Sequence, residues 1–301
     1  MANIVTCDCK PLARIFSYGD SLPVDGVDLR RSVEAREFYG DQTIEDQDFP
    51  YCTSIGDSAY QNSSIKNLSV PSCTYIGKNA FQGSTIRGGD FSSVLKVDKE
   101  AFYQCWVLGP GELDFQACKE IGANAFRSER RASGEGYPDL KIRDVITIGD
   151  SAFYDTGLIG AKNVRKLYLP YCEYIGDFGL GNATSGWQNK CTSIELPSIR
   201  EVGEQAFRGM IVSEHIIKFG PNLEKIGNTC FWDIIVGQSL YIEATTPPEL
   251  AGRFSWLGDK PAHIYVPEGS KEEYQAAENW SDYADVISAL PDDYEPIYPP
   301  H

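Results

Sequence analysis

A six-residue unit, seen as Ile148-Gly149-Asp150-Ser151-Ala152-Phe153, returns along this chain at nearly regular intervals, and no other feature restricts the fold so tightly. Anchored on the first residue, copies begin at Ile55, Ile76, Val97, Ile121, Ile148, Ile175, Val202 and Ile226, separated by 21, 21, 24, 27, 27, 27 and 24 residues. Periods of roughly 20 to 29 residues belong to solenoids, in which one short unit stacks on the next. A chain of 301 residues would otherwise suggest one large or two small domains. In a solenoid, length counts repeats.

Each column of the repeat has a physical task. One step after the anchor stand Gly56, Gly77, Gly122, Gly149, Gly176, Gly203 and Gly227, with Asp98 the exception; the expectation is a sharp turn at positive φ, where glycine and sometimes Asp are tolerated. Four steps after it every residue is small: Ala59, Ala80, Ala101, Ala125, Ala152, Gly179, Ala206 and Cys230. The next column, Tyr60, Phe81, Phe102, Phe126, Phe153, Leu180, Phe207 and Phe231, is expected to stack as an internal spine, each side chain contributing about 1.5–3 kcal/mol by burial.

Upstream of the anchors lie short alternating runs such as Leu68-Ser69-Val70-Pro71, Leu167-Tyr168-Leu169-Pro170 and Ile194-Glu195-Leu196-Pro197. Period-two alternation ended by proline reads as a short strand. Phe49, Val70, Phe91, Phe115, Ile142, Leu169 and Leu196 occupy its inward position, with Phe219 in the same slot after a one-residue slip. Such strands are expected to stack into one parallel sheet. Cysteine shares an apolar column with aliphatic residues three steps before the anchors (Cys52, Cys73, Cys118 and Cys172 among Val94, Val145, Ile199 and Leu223), as suits a thiol acting as a small hydrophobe. Cys7 and Cys9 lack such an explanation, but their C-x-C spacing meets no second pair, so no metal site is expected.

The pattern L-x-L-P-x-x-x-x-I-G-x-x-A-F, as in Leu167 to Leu180 with a degenerate ending, resembles the BspA-like leucine-rich repeat proteins. The resemblance runs from about Phe49 through the repeats and into a C-terminal stretch, Thr246-Pro247-Pro248, Ile264-Tyr265-Val266-Pro267 and Tyr274 to Trp280. It implies an α/β-type right-handed leucine-rich repeat solenoid with a parallel β-sheet on one face, an N-terminal cap and a C-terminal strand-helix cap. It also implies a binding scaffold of the kind found on bacterial surfaces, with varied partners.

The expected organisation is a non-repeat cap or attachment arm over 1–43, eight repeats over 44–244, a closing cap over 245–290 and a loosely held, extended tail over 291–301. Arg30, Arg31 and Arg36 between apolar positions suggest a short helix in the arm. Ser270 with Glu273 three residues later suggests a capping box at the start of a helix over 269–290. The residues after Met1 are too polar for a secretory signal, and no stretch is long enough to span a membrane. Two accounts stay open: an export signal has been removed and the protein is extracellular or at the cell surface, or Met1 is the start and the protein is a virion component or cytoplasmic.

A net charge of −16 argues against nucleic acid, which requires a basic stripe. His215, His263 and His301, the only histidines, have no nucleophile motif beside them; no catalytic residues, cofactor or metal are expected. What remains is a recognition surface. Outward positions of the strands, seven steps before the anchors, are Ser69, Asp90, Asp114, Lys141, Tyr168 and Glu195, continued by Lys218 and Tyr241, with Glu112 and Lys166 beside them. At roughly 4.8 Å per rung this ladder spans some 35 to 40 Å, a scale for a protein or glycan chain, with Tyr168 and Tyr241 as aromatic anchors. Arg130 and Arg131 in a polar insertion and Trp187 in a second expansion form a weaker loop candidate. Trp106, Trp187 and Trp232 are expected to cover the solenoid edge. The functional expectation is a non-catalytic, adhesin-like or host-interaction protein; the alternative is a structural or attachment component of a phage or other assembly, docked by its N-terminal arm. The sequence leaves the oligomeric state open.

Overall fold

The computed structural model describes residues 28–107, 113–127, 140–156, 166–182, 190–234, 237–255 and 259–299. They form a parallel β-solenoid. The anchors lie in two-residue strands, Ser32–Val33, Ser54–Ile55, Tyr75–Ile76, Lys96–Val97, Glu120–Ile121, Thr147–Ile148, Tyr174–Ile175, Glu201–Val202, Lys225–Ile226 and Glu249–Leu250, joined in that order into one ten-stranded parallel sheet. The stack therefore extends one rung beyond the expected copies at either end. Ser32–Val33 replaces the short helix expected around Arg30 to Arg36: Val33 pairs with Ile55, and Phe38 stacks on Tyr60 at 5.0 Å.

The runs ending in proline do form strands, but not one sheet. Gln47–Asp48, Leu68–Ser69 and Gly89–Asp90 make a three-stranded sheet, and Leu113–Asp114 pairs with Leu140–Lys141. Leu167–Tyr168, Lys190–Leu196, Ile211–Phe219, Ser239–Ile242, His263–Val266 and Ile287–Ala289 make a third sheet of six strands. A further edge sheet contains Ser64–Ile65, Thr85–Ile86 and Trp106–Val107. Continuity belongs instead to the anchor sheet, in which the glycine column lets successive backbones approach closely. A Cβ on Gly56 would lie 2.7 Å from the Ala35 nitrogen, one on Gly122 2.6 Å from that of Lys99, and one on Gly203 2.5 Å from that of Asp177.

These glycines are therefore needed for close approach of successive backbones, not for positive φ as the sequence suggests. The left-handed residues stand two steps later: Arg36, Ser58, Asn79, Glu100, Asn124, Ser151, Phe178, Gln205 and Thr229, at φ between 50° and 59°. That conformation turns each amide toward the next rung. Ser58 N–H donates to the Lys78 carbonyl at 2.8 Å and Ser151 N–H to that of Asp177 at 2.7 Å. Asp57 and Asp177 add side-chain acceptors for the Lys78 and Glu204 amides, at 2.9 and 2.7 Å.

The interior is the expected spine. Ring centroids of Tyr60 and Phe81, Phe81 and Phe102, Phe102 and Phe126, and Phe126 and Phe153 lie 5.2, 4.9, 5.1 and 5.3 Å apart, all stacked. Phe91 and Phe115 form a second stack at 5.3 Å, meeting the first edge-on. Leu180 interrupts the spine; Phe207 and Phe231 resume it at 5.5 Å. Seven cysteines are described, all buried and unbridged. Cys52, Cys73, Cys118 and Cys172 each donate Sγ–H to the carbonyl two residues on, at 3.2 to 3.5 Å. Cys7 and Cys9 lie outside the described residues.

Beyond Leu250 the last rung is covered by aromatic side chains. Phe254 meets Trp280 at 5.5 Å and Tyr283 at 4.7 Å. Trp280 Nε1–H donates to the Pro248 carbonyl at 2.7 Å and the Tyr274 hydroxyl to that of Ala244 at 2.9 Å. The expected helix over 269–290 is one six-residue helix, Lys271–Ala276, flanked by single 3-10 turns, and Ser270 makes no side-chain capping bond. Tertiary packing of Tyr274 and Trp280 holds this stretch, so the capping signal carries no weight.

Candidate recognition surface

Strand pairing places the outward residues in line. Asp48, Ser69 and Asp90 are aligned partners, as are Asp114 and Lys141. Tyr168, Glu195, Lys218, Tyr241 and Tyr265 follow in the third sheet. Their inward neighbours are buried, including Leu68, Val70, Leu169, Leu196 and Phe219, so the row stands on a rigid floor. Glu112, Arg130, Arg131 and Trp187 lie outside the described residues. Trp106 and Trp232 are half-buried on the turn side, where the Arg208 guanidinium covers Trp232 at 4.5 Å, an edge-covering arrangement.

The two ends of the row differ. At its N-terminal end Asp46, Asp48, Asn67, Ser69 and Asp90 border a shallow open depression, and Asp48 and Asp90 are exposed. Lys66 offsets part of that charge, its Nζ lying 3.3 Å from Glu45 and 3.7 Å from Asp46. Exposed pairs of this kind are worth about 0–1 kcal/mol.

At the C-terminal end the face is covered. The segment 291–299, expected as a loosely held tail, is bound across it. The Tyr294 ring stacks on Tyr241 at 5.4 Å, and Lys218 Nζ sits 4.9 Å from its centre. One oxygen of Glu243 accepts both the Tyr294 hydroxyl and the Ile297 amide, each at 2.7 Å. The Tyr168 hydroxyl donates to the Tyr298 carbonyl at 2.8 Å. Tyr168 and Tyr241 are thus engaged within the chain rather than presented as open anchors. Glu195 is nearly buried, 9% exposed, and paired with Lys166 at 2.5 Å. Burial pushes the Tyr168 and Tyr241 phenols up from their ordinary range. It pushes Tyr294 up further, aided by its bond to Glu243, so these rings act as hydrogen-bonding, uncharged groups near neutral pH.

No cluster of three or more metal-ligating side chains occurs among the described residues, and no helix there is long and apolar enough to cross a membrane. His215 contacts Gln238 at 3.1 Å and His263 stacks on Tyr265 at 5.4 Å. Cys73, Cys118, Cys172 and Cys191 are pushed up to about 12 by burial, which keeps them as thiols rather than reactive thiolates.

Stacked two-residue strands, a glycine column at the rung contact and one outward row on a filled core define a leucine-rich repeat solenoid. The BspA type leucine rich repeat region matches in six copies, over residues 31–158 and 183–247. This covers more than half of the sequence, and the chain belongs to that family. Leucine-rich repeats generally mediate protein interactions, which makes the chain an interaction scaffold by family. Among curated proteins none matches it.

Proposed function

We propose that the chain is a non-catalytic, adhesin-like binding scaffold, displayed outside the cell, that recognises a protein or glycan on a cell or matrix surface along its outward row. The observation that carries this reading is the row itself. Asp, Ser, Lys, Tyr and Glu side chains stand in register on consecutive rungs, above a floor made mostly of buried apolar residues, with Gln47 accepting the Tyr60 hydroxyl at 2.8 Å at its N-terminal end. A rigid floor removes the ordering cost of presenting such side chains, which favours recognition. A row of ten rungs at about 4.8 Å each spans roughly 45 Å, a length matched to an extended polymer.

The open acidic end, at Asp48 and Asp90, is the part free to engage a partner directly, and its charge selects basic groups. The test is saturable attachment of the purified chain to an array of matrix proteins and glycans. Asp48→Lys combined with Asp90→Lys is expected to weaken attachment at least tenfold while lowering the thermal midpoint by no more than a few degrees, since both side chains are exposed and Asp90 accepts only the local Ser92 amide and hydroxyl, at 3.1 and 2.7 Å. Unchanged attachment in a folded variant would remove this end of the row from the reading.

A further inference from the structure

The covered end of the row reads as a filled binding site. Five contacts hold the segment 291–298, and they address different parts of it. Glu243 accepts the Ile297 amide and the Tyr168 hydroxyl donates to the Tyr298 carbonyl, so the backbone is bound at two consecutive residues. The Tyr294 ring is stacked on Tyr241 beneath Lys218, and its hydroxyl reaches the same Glu243 oxygen. Ile297 is 7% exposed. Pro296 and Pro299 restrain the contacting residues to extended forms before they dock, after a turn in which the Tyr294 amide donates to the Pro291 carbonyl at 3.0 Å; Asp292, Asp293 and Glu295 are exposed. Backbone-directed bonds plus one aromatic slot describe recognition of an extended peptide rather than packing of a domain.

We propose that the face over Leu167–Tyr168, Lys190–Leu196, Ile211–Phe219 and Ser239–Ile242 is a groove for extended, proline-flanked peptides bearing tyrosine, and that 291–298 is its resident occupant. A partner presenting the same chemistry engages this half by displacing that strap, while the acidic end stays open. The proposal rests on the reading of this row as a recognition surface. It accounts for the covered state of Tyr168 and Tyr241, the two aromatic anchors of the row.

The test uses the full chain and a labelled synthetic peptide of residues 290–299. Tyr294→Ser with Ile297→Asp releases the strap without altering the groove. The released chain is expected to bind the peptide at least tenfold tighter than the unmodified chain in fluorescence anisotropy. Adding Tyr241→Ala and Glu243→Gln is expected to abolish that gain. As a second measurement, saturating peptide should accelerate hydrogen exchange at the Ile297 amide of the unmodified chain. Equal binding by released and unmodified chains, both folded by thermal midpoint, would overturn the proposal, as would unchanged exchange at Ile297 under saturating peptide. No surface partner enters this assay. Peptide binding without surface attachment would therefore sink the adhesive reading alone, and attachment without peptide binding would sink only the groove.

Discussion

Phe102 is the position where the spine is most heavily invested, and its removal tests whether this stack carries the fold. The ring is 3% exposed, stacked between Phe81 at 4.9 Å and Phe126 at 5.1 Å and met edge-on by Phe91 at 5.6 Å and Phe115 at 5.7 Å. Truncating a buried phenylalanine to alanine costs about 3–5 kcal/mol. Each lost aromatic pair is worth about 0.5–1.5 kcal/mol beyond buried area, and four pairs place Phe102→Ala near the top, at about 5 kcal/mol. Phe102→Leu keeps most of the volume and copies what Leu180 does naturally; its expected cost is about 1.5 kcal/mol. In a quasi-linear stack each rung contacts only its neighbours, so the loss should be local. Denaturant unfolding gives the magnitudes. Hydrogen exchange gives the place: amide protection should fall around Phe81, Phe102 and Phe126 and persist around Phe207 and Phe231. A cost under about 1 kcal/mol for the alanine variant, or uniform loss of protection over the chain, would refute the reasoning.

The glycine column gives a second test. Gly227→Ala places a Cβ 2.3 Å from the Gly203 carbonyl carbon, whereas one at Gly269 meets nothing within 4 Å. Gly227→Ala should therefore lower the thermal midpoint by several degrees, in line with the roughly 1–3 kcal/mol of overpacking, and Gly269→Ala should leave it unchanged. The thiols give a third. Cys73, Cys118 and Cys172 titrate near 12 in the fold because burial disfavours the thiolate, against an ordinary value near 9. Their folded value is raised, so the stabilisation is complete below about pH 9 and is lost as pH rises from there through about 12. Denaturant midpoints should fall between pH 8 and pH 10.5, and replacing the three by alanine should flatten that fall. A thiol reagent at pH 8 should label these residues only on unfolding.

What the sequence made legible was whatever repeats. Spine, small-residue column and cysteine column each recur at fixed distance from an anchor, and periodic burial wrote them into the residue types. The glycine column shows in the sequence but its cause does not, because residue type alone cannot tell a position that needs positive φ from one where a Cβ would crowd the next backbone. The slot is not closed on every rung: Glu34 stands in it at the first described rung, and Asp98 and Ala251 carry side chains there on later rungs. Alternation sets which strand positions face outward, since a one-residue slip turns every side chain to the other face. That half of it is covered was not readable. Tyr294 and Tyr298 belong to no repeat, and their contacts at Glu243 and Tyr168 lie 51 and 130 residues away in sequence.

The same separation of fold from face makes the functional tests clean. Rungs communicate through the filled interior and the anchor sheet, whereas the outward row at Asp48 and Asp90 contributes little to either, both side chains being exposed. Sites more than about 7–10 Å apart with no shared partners behave additively, and Asp90 and Tyr241 stand several rungs apart along the row. Substitutions at the acidic end should then leave strap binding untouched, and release of the strap should leave the acidic end as it was. Coupling between the two would mean that partner engagement bends or reorders the stack, and a core stacked ring on ring from Phe38 to Phe153 is built to resist that. Independence of the two ends is therefore what a rigid scaffold with two recognition sites requires.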